Sequence, residues 1–196
     1  LRVPGFAGVF AFTLPEALWL ADRCSDVVVG YPSVDRRALA RLLNDDALAA
    51  RITLMIDDAS QLDLIDSIVP ADRRLPLRVC LDADASWQAP LLGFIGTRRS
   101  PLHSLQDALM LGRHIAARPG FRLVGLMMYE GQVAGVGDNV PGAGPMNRVM
   151  RWVQRRSMAE LTERRGAIVH GLREATDLEF VNGGGTGSIE ATAADP

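Results

Sequence analysis

Val181-Asn182-Gly183-Gly184-Gly185-Thr186-Gly187-Ser188 is the stretch whose reading decides the fold. Four of the five residues from 183 to 187 are glycine. Such a run cannot be a helix or strand interior, because each glycine there loses more backbone entropy than any other residue. It suits a backbone that turns sharply and comes close to a ligand. Leu178-Glu179-Phe180-Val181, just upstream, reads as a short strand. The loop therefore leaves a strand end with amide N–H groups free and the Thr186 and Ser188 hydroxyls among them. Successive free N–H groups make a concave anion site, and a phosphate is the usual occupant. Taken alone, the run also fits a plain glycine-rich turn, so its place in the chain has to choose between the two.

Working outward, short apolar runs alternate with helical patterns. Strands are expected near residues 9–13, 26–30, 52–56, 77–82, 122–128 and 178–182. Thr13-x-x-Glu16 has capping-box spacing and opens a helix over Glu16–Arg23. Ser33 can cap a helix from Val34 to Leu48, and Pro70 stops a helix over Ala59–Ile68. Residues 85–101 read as irregular. Leu102, Leu105, Leu109 and Gly112 then trace one helix face as far as Ala117. The glycine- and proline-rich segment 131–145 has the length of a lid. A long helix follows from Met146 to Ala175. Its arginines, Arg151, Arg155, Arg156, Arg164 and Arg165, read as a solvated face interrupted by Glu160 and Glu163.

The strands are near-continuous apolar runs, the mark of a parallel sheet covered on its faces. An open doubly wound sheet and a (β/α)₈ barrel both fit, and both place ligands beyond the C-terminal strand ends. A dinucleotide-binding sheet carries its glycine fingerprint after the first strand. Here the glycine loop follows the last one, where barrels commonly hold phosphate. A whole barrel takes about 250 residues, whereas this chain has 196. The expectation is an α/β chain, one domain over residues 1–196. It forms a partial (β/α)₈ TIM barrel of about six parallel strands, lacking the first and last. The chain starts at Leu1 without Met and ends at Pro196 without a capping element, which reads as an internal piece of something longer.

Composition excludes several functions. Hydrophobic content of 48% and charged content of 22% are those of an ordinary globular chain. A net charge of −2 gives no electrostatic case for nucleic acid. No apolar run reaches membrane-spanning length, and no stretch of these residues reads as a signal peptide. Cys24 and Cys80 are isolated in apolar settings and read as small buried hydrophobes. His103, His114 and His170 are scattered along helical stretches, so no metal site is readable. All 21 basic residues are Arg. With no Lys, no lysine side chain of this chain can form a Schiff base.

Four motifs carry a resemblance. They are Leu81-Asp82-Ala83-Asp84, Arg98-Arg99-Ser100-Pro101, Tyr129-Glu130-Gly131-Gln132 and the glycine loop 182–188. In this order the chain resembles the barrel domain of the alanine racemase-like, fold-type III pyridoxal-phosphate enzymes. Within them it is most similar to the D-threonine aldolase and D-serine dehydratase branch, which includes proteins called amino acid deaminase/aldolase. The resemblance implies that Asn182, Gly183, Gly184, Gly185, Thr186, Gly187 and Ser188 hold the phosphate of pyridoxal phosphate. It implies Tyr129 at the pyridine ring, as a catalytic and cofactor-binding residue. Arg98 corresponds to the family arginine that reaches toward the cofactor, with the register between Arg98 and Arg99 open, because Ser100 stands where the family has Gly. Asp82 orients that loop.

The implied activity is a lyase acting on a D-amino acid, by aldol cleavage or dehydration, in a cytoplasmic protein whose full-length parent is a homodimer. The chain departs from the family in lacking the catalytic lysine and the metal-binding pair of a C-terminal β domain. A divalent metal thus belongs to the parent at most, with no metal ligands here, and the chain alone is expected to be inactive. Alternatives are an amino acid racemase, a barrel that binds pyridoxal phosphate or another phosphate ligand without catalysis, and a sugar-phosphate isomerase.

Overall fold

The computed structural model describes residues 7–90, 93–134, 144–185 and 187–193. The expected tail at Leu1–Phe6, most of the lid-like segment and Thr186 lie outside the described residues. Six strands form one all-parallel sheet: β1 (Val9–Ala11), β2 (Val27–Val29), β3 (Ile52–Ile56), β4 (Leu77–Asp82), β7 (Phe121–Met127) and β8 (Phe180–Asn182). A small hairpin, β5 (Trp87–Ala89) and β6 (Gly93–Ile95), stands apart from it. The helices are α1 (Leu14–Leu20), α2 (Arg36–Leu43), α3 (Asp46–Ala49), α4 (Ala59–Ile68), α5 (Leu105–Ala117), α6 (Gly131–Ala134), α7 (Gly144–Arg173) and α8 (Ile189–Ala193).

Strand order settles the architecture. The sheet runs β1-β2-β3-β4-β7-β8, each strand beside its predecessor in sequence. A doubly wound sheet must reverse direction at a switch point. This sheet never reverses, so it curls as a partial barrel wall with helices outside, the architecture expected from the sequence.

The two faces of the wall differ as the period of two demands. Val27, Val29, Ile52, Leu54, Ile56, Leu77, Val79, Leu81, Leu123 and Leu126 point outward into one core shared with the helices. The inner face carries three layers. At the bottom, Arg78 donates to Glu179 at 2.7 and 3.0 Å and to Thr53 at 3.2 Å, and Arg122 donates to Glu179 at 2.7 Å. In the middle, Met55, Cys80 and Met127 pack with Val28, Phe180 and Tyr129. At the top are the C-terminal strand ends. Between β4 and β7 the register slips at Val79/Cys80, so Val124 is an extra residue and Gly125 pairs with Cys80. A Cβ at Gly125 would collide with the Phe180 ring. The bulge thus turns a residue without a side chain toward the ring that fills the middle layer.

Local chemistry explains most boundaries. Thr13 caps α1 as its spacing predicted, accepting from the Glu16 N–H, while the Glu16 carboxylate accepts from the Phe12 N–H. Asp58 and Gln61 form the same reciprocal box at α4. The single helix expected over Val34–Leu48 is instead two. Asp35, rather than Ser33, caps the first, and Asp45 caps the second. A carboxylate satisfying two amide donors, at about 1 kcal/mol for a good cap, restarts the helix there.

The stretch expected to be irregular contains the β5–β6 hairpin, docked on α7 through Trp87 and Trp152, whose rings are 5.9 Å apart. The arginine face of α7 also divides. Arg151, Arg155 and Arg156 are exposed, but Arg164 and Arg165 are not. Arg164 donates to the carbonyls of Asp84, Ser86 and His103, tying α7 to the loop after β4.

Candidate functional site

The top layer opens into a cavity of about 450 Å³ lined by Phe10, Phe12, Tyr31, Arg99, Met127, Tyr129, Asn182, Gly183 and Gly184. Its residues come from β1, from the loops after β2 and β6, from the end of β7 and from the glycine loop. All lie at the C-terminal side of the sheet, where parallel barrels carry their ligands. Tyr129 and the glycine loop therefore share one end of the wall, on neighbouring strands. Met127 pairs with Asn182, and the Met128 N–H donates to the Asn182 carbonyl at 2.8 Å.

The arginine of the site is Arg99. Its Nε donates to both Asp82 oxygens at 3.0 and 3.1 Å, and its Nη2 to the Gly30 carbonyl at 2.5 Å. Its guanidinium lies over the Tyr31 ring, 4.8 Å from the centroid. These contacts hold a permanent positive charge at the cavity wall. Arg98 turns the other way. Its backbone adopts φ 45°, its N–H donates to Ser86 Oγ, and its guanidinium covers Phe94 of the hairpin at 4.5 Å. The left-handed backbone at Arg98 sends consecutive arginines to different places, Arg99 to the cavity and Arg98 to the hairpin.

Asp82 does hold the loop, as its position suggested. Besides the ion pair, its carbonyl accepts from Ser100 Oγ at 2.7 Å. Burial pushes the Asp82 carboxyl up from 3.8 to about 6; Arg99 opposes this, and Asp57 and Asp84 add to it. Asp57 is also raised, by burial against the hydrogen bond from Gln61.

The glycine loop is not a set of idle donors. Gly184 has φ +85°, a conformation that a side chain would strain. The Gly185 N–H donates to Ser188 Oγ at 3.0 Å, and the Ser188 N–H returns to the Gly185 carbonyl at 3.0 Å. Ser188 Oγ and Thr192 Oγ1 donate to Glu130 Oε1 at 2.7 and 2.5 Å. Ser188 is buried, whereas Asn182, Gly183 and Gly184 face the cavity. The structure thus separates residues expected to act together. The first half of the loop lines the cavity, and Gly185 with Ser188 braces it from behind.

Two participants escaped the sequence reading. Glu130 is fully buried, and Arg165 donates to its Oε2 at 2.8 Å and to the Met128 carbonyl at 3.1 Å. Burial pushes the Glu130 carboxyl up. Hydrogen bonds from Thr192, Ser188 and the Gly184 N–H, with the charge of Arg165, outweigh this and hold it below its ordinary value. A signal for Arg165 existed in the sequence. Val153, Ser157, Leu161, Arg165, Ile168 and Leu172 form the buried stripe of α7, so this arginine sits on the core-facing side. His103 also has a partner: its Nδ1 lies 3.2 Å from Asp84 Oδ2, in the loop just before α5.

Among the described residues no cluster of His, Cys, Asp and Glu could hold a metal ion, and no helix is long and apolar enough to cross a membrane. No family model and no curated protein matches the chain. Solved structures do. D-threonine aldolase from Filomicrobium marinum matches with a TM-score of 0.71 at 22% identity, over 95% of this chain and 44% of that one. Alanine racemase from E. faecalis matches with a TM-score of 0.64 at 15% identity, over 98% of this chain and 43% of that one. The chain spans less than half the length of either. At these identities the likeness is one of fold: the chain shares the barrel fold of this aldolase and this racemase, the architecture expected from its strand pattern.

Proposed function

We propose that this chain is the cofactor-holding part of a pyridoxal-phosphate-dependent enzyme acting on a D-amino acid, of the aldolase or dehydratase type. The observation that carries the reading is the single cavity into which the barrel wall brings Tyr129, Arg99 and Asn182–Gly184. Its volume is that of a small-ligand site, and its lining combines aromatic walls with a few fixed polar groups. That lining fits pyridoxal phosphate, an aromatic ring carrying a phosphate. The bound cofactor would supply an electron sink for charge developing at the amino acid α-carbon.

The roles of the chain's own residues follow. Asn182, Gly183 and Gly184 would face the phosphate, with Gly184 giving the backbone close approach. Gly185, Gly187 and Ser188 would complete and brace that loop, and Thr186 belongs to it by sequence. Phe10 and Tyr31 would exclude water from the ring. Arg99, held by Asp82 and Gly30, would attract an anionic group of cofactor or substrate. The chain's two tyrosines both line the cavity. Tyr129, beside the glycine loop, is the one assigned to hold a proton at its Oη. Arg98, stacked on Phe94, takes no part. The chain contains no lysine, so covalent attachment through a lysine requires one from outside these 196 residues. On its own the chain would bind the cofactor reversibly and not turn over. A divalent metal, if one is used, would come from outside this chain too.

The test offers D-threonine, D-serine and both alanine enantiomers, with pyridoxal phosphate, to this chain alone and to the chain preceded by a lysine-bearing strand. Cleavage of D-threonine to glycine and acetaldehyde, or conversion of D-serine to pyruvate and ammonia, is expected only from the second. Interconversion of the alanines would move the reading to a racemase. No turnover by either form, with no cofactor bound, would refute it.

A further inference from the structure

Glu130 follows the cavity residue Tyr129, yet it lies fully buried behind the glycine loop. Its Oε1 accepts from Ser188 Oγ at 2.7 Å and Thr192 Oγ1 at 2.5 Å, its Oε2 accepts from Arg165 at 2.8 Å, and Oε1 lies against Gly184, where a Cβ would be 3.6 Å from it. A hydroxyl has one proton and two lone pairs. Ser188 donates its proton to Glu130, which leaves a lone pair for the Gly185 N–H at 3.0 Å. The carboxylate therefore fixes the rotation of Ser188, and Ser188 in turn fixes the turn from Gly185 to Ser188. It also packs directly behind Gly184, the residue whose φ is +85°. A bare carboxylate beside an anion site would repel the anion. The Arg165 guanidinium cancels that charge, and through the Met128 carbonyl it anchors the same point of β7 from which Tyr129 projects.

We infer that Glu130 is a positioning residue for the anion loop. Backed by Arg165, it holds Gly184 and Ser188 so that the Asn182–Gly184 segment presents a preformed phosphate cradle to the cavity. It acts through the loop and does not touch the ligand. This inference rests on the pyridoxal-phosphate reading above.

The test compares pyridoxal phosphate with pyridoxal, which lacks the phosphate, by equilibrium dialysis against the full chain. The wild type should prefer pyridoxal phosphate. Glu130→Gln keeps the size but removes the charge, and it should weaken pyridoxal phosphate by about tenfold or more, the scale of a lost charge-assisted hydrogen bond. Pyridoxal binding should stay within about twofold, because Tyr129, Tyr31 and Arg99 are untouched. Ser188→Ala cuts the same relay from its other end and should shift the ratio in the same direction, and it decides the matter if Glu130→Gln does not fold. A wild type without preference for pyridoxal phosphate would sink the proposed function and this inference with it. A wild type that prefers it, with variants that keep the full preference or lose both ligands equally, would overturn the positioning role alone.

Discussion

Replacing Asp82 by Asn tests the electrostatics that hold Arg99 in the cavity. Asp82 is fully buried, and burial, opposed by Arg99 and reinforced by Asp57 and Asp84, moves its carboxyl from 3.8 to about 6. A carboxyl raised on folding binds its proton more tightly in the folded chain. Its contribution therefore favours folding most below the unfolded value, and it is lost as pH rises from about 4 to about 6. The interval between 3.8 and about 6 corresponds to about 3 kcal/mol between the two plateaus. Asp57, also raised by burial, acts in the same direction, and three other carboxylates act in the opposite one. Glu130, Glu179 and Asp58 sit below their ordinary values, so their stabilisation is lost as pH falls. A wild-type curve mixes both effects, and subtracting the Asp82→Asn curve cancels the shared ones. Urea unfolding of both proteins between about pH 4 and pH 7 gives the difference directly. It should move against the wild type by up to about 3 kcal/mol as pH rises through that window. A difference that stays flat, or moves the other way, would refute the dominance of burial over the Arg99 ion pair.

Gly125→Ala should cost about 1–3 kcal/mol, because its Cβ would enter the Phe180 ring in a packed layer. Adding Phe180→Leu should recover part of that loss, and additive losses in thermal melts would contradict the packing described. Arg99→Ala should weaken pyridoxal phosphate binding by about tenfold, whereas Arg98→Ala should leave it unchanged. Calorimetric titration showing the reverse order would assign the cavity arginine wrongly.

All six sheet strands were legible because each is a compact apolar run bounded by turn residues, as in Ile52–Ile56 and Leu77–Asp82. Their alternation with helices, and the late position of the glycine loop, pointed to a barrel before any strand order was known. The β5–β6 hairpin was not legible. Its strands are three residues each, and their support comes from Trp152, some sixty positions away in sequence. Charge misled the reading of α7. Arg165 read as solvated although it falls on the buried stripe of α7, and Arg164 did so because its burial depends on carbonyls far away in sequence, which no local pattern reveals. Likewise, nothing in Arg98-Arg99 says that a left-handed residue will send the first to the hairpin and the second to the cavity. The glycine loop was found from composition, but its division into a cavity-facing half and a braced half depends on Glu130.

The most direct test of the central claim is a crystal structure of the protein grown with pyridoxal phosphate. The account predicts the phosphate against the backbone of Asn182–Gly184, with the ring in the cavity beside Tyr129 and within reach of Arg99. Phosphate bound away from the glycine loop, or a ring outside that cavity, would contradict it.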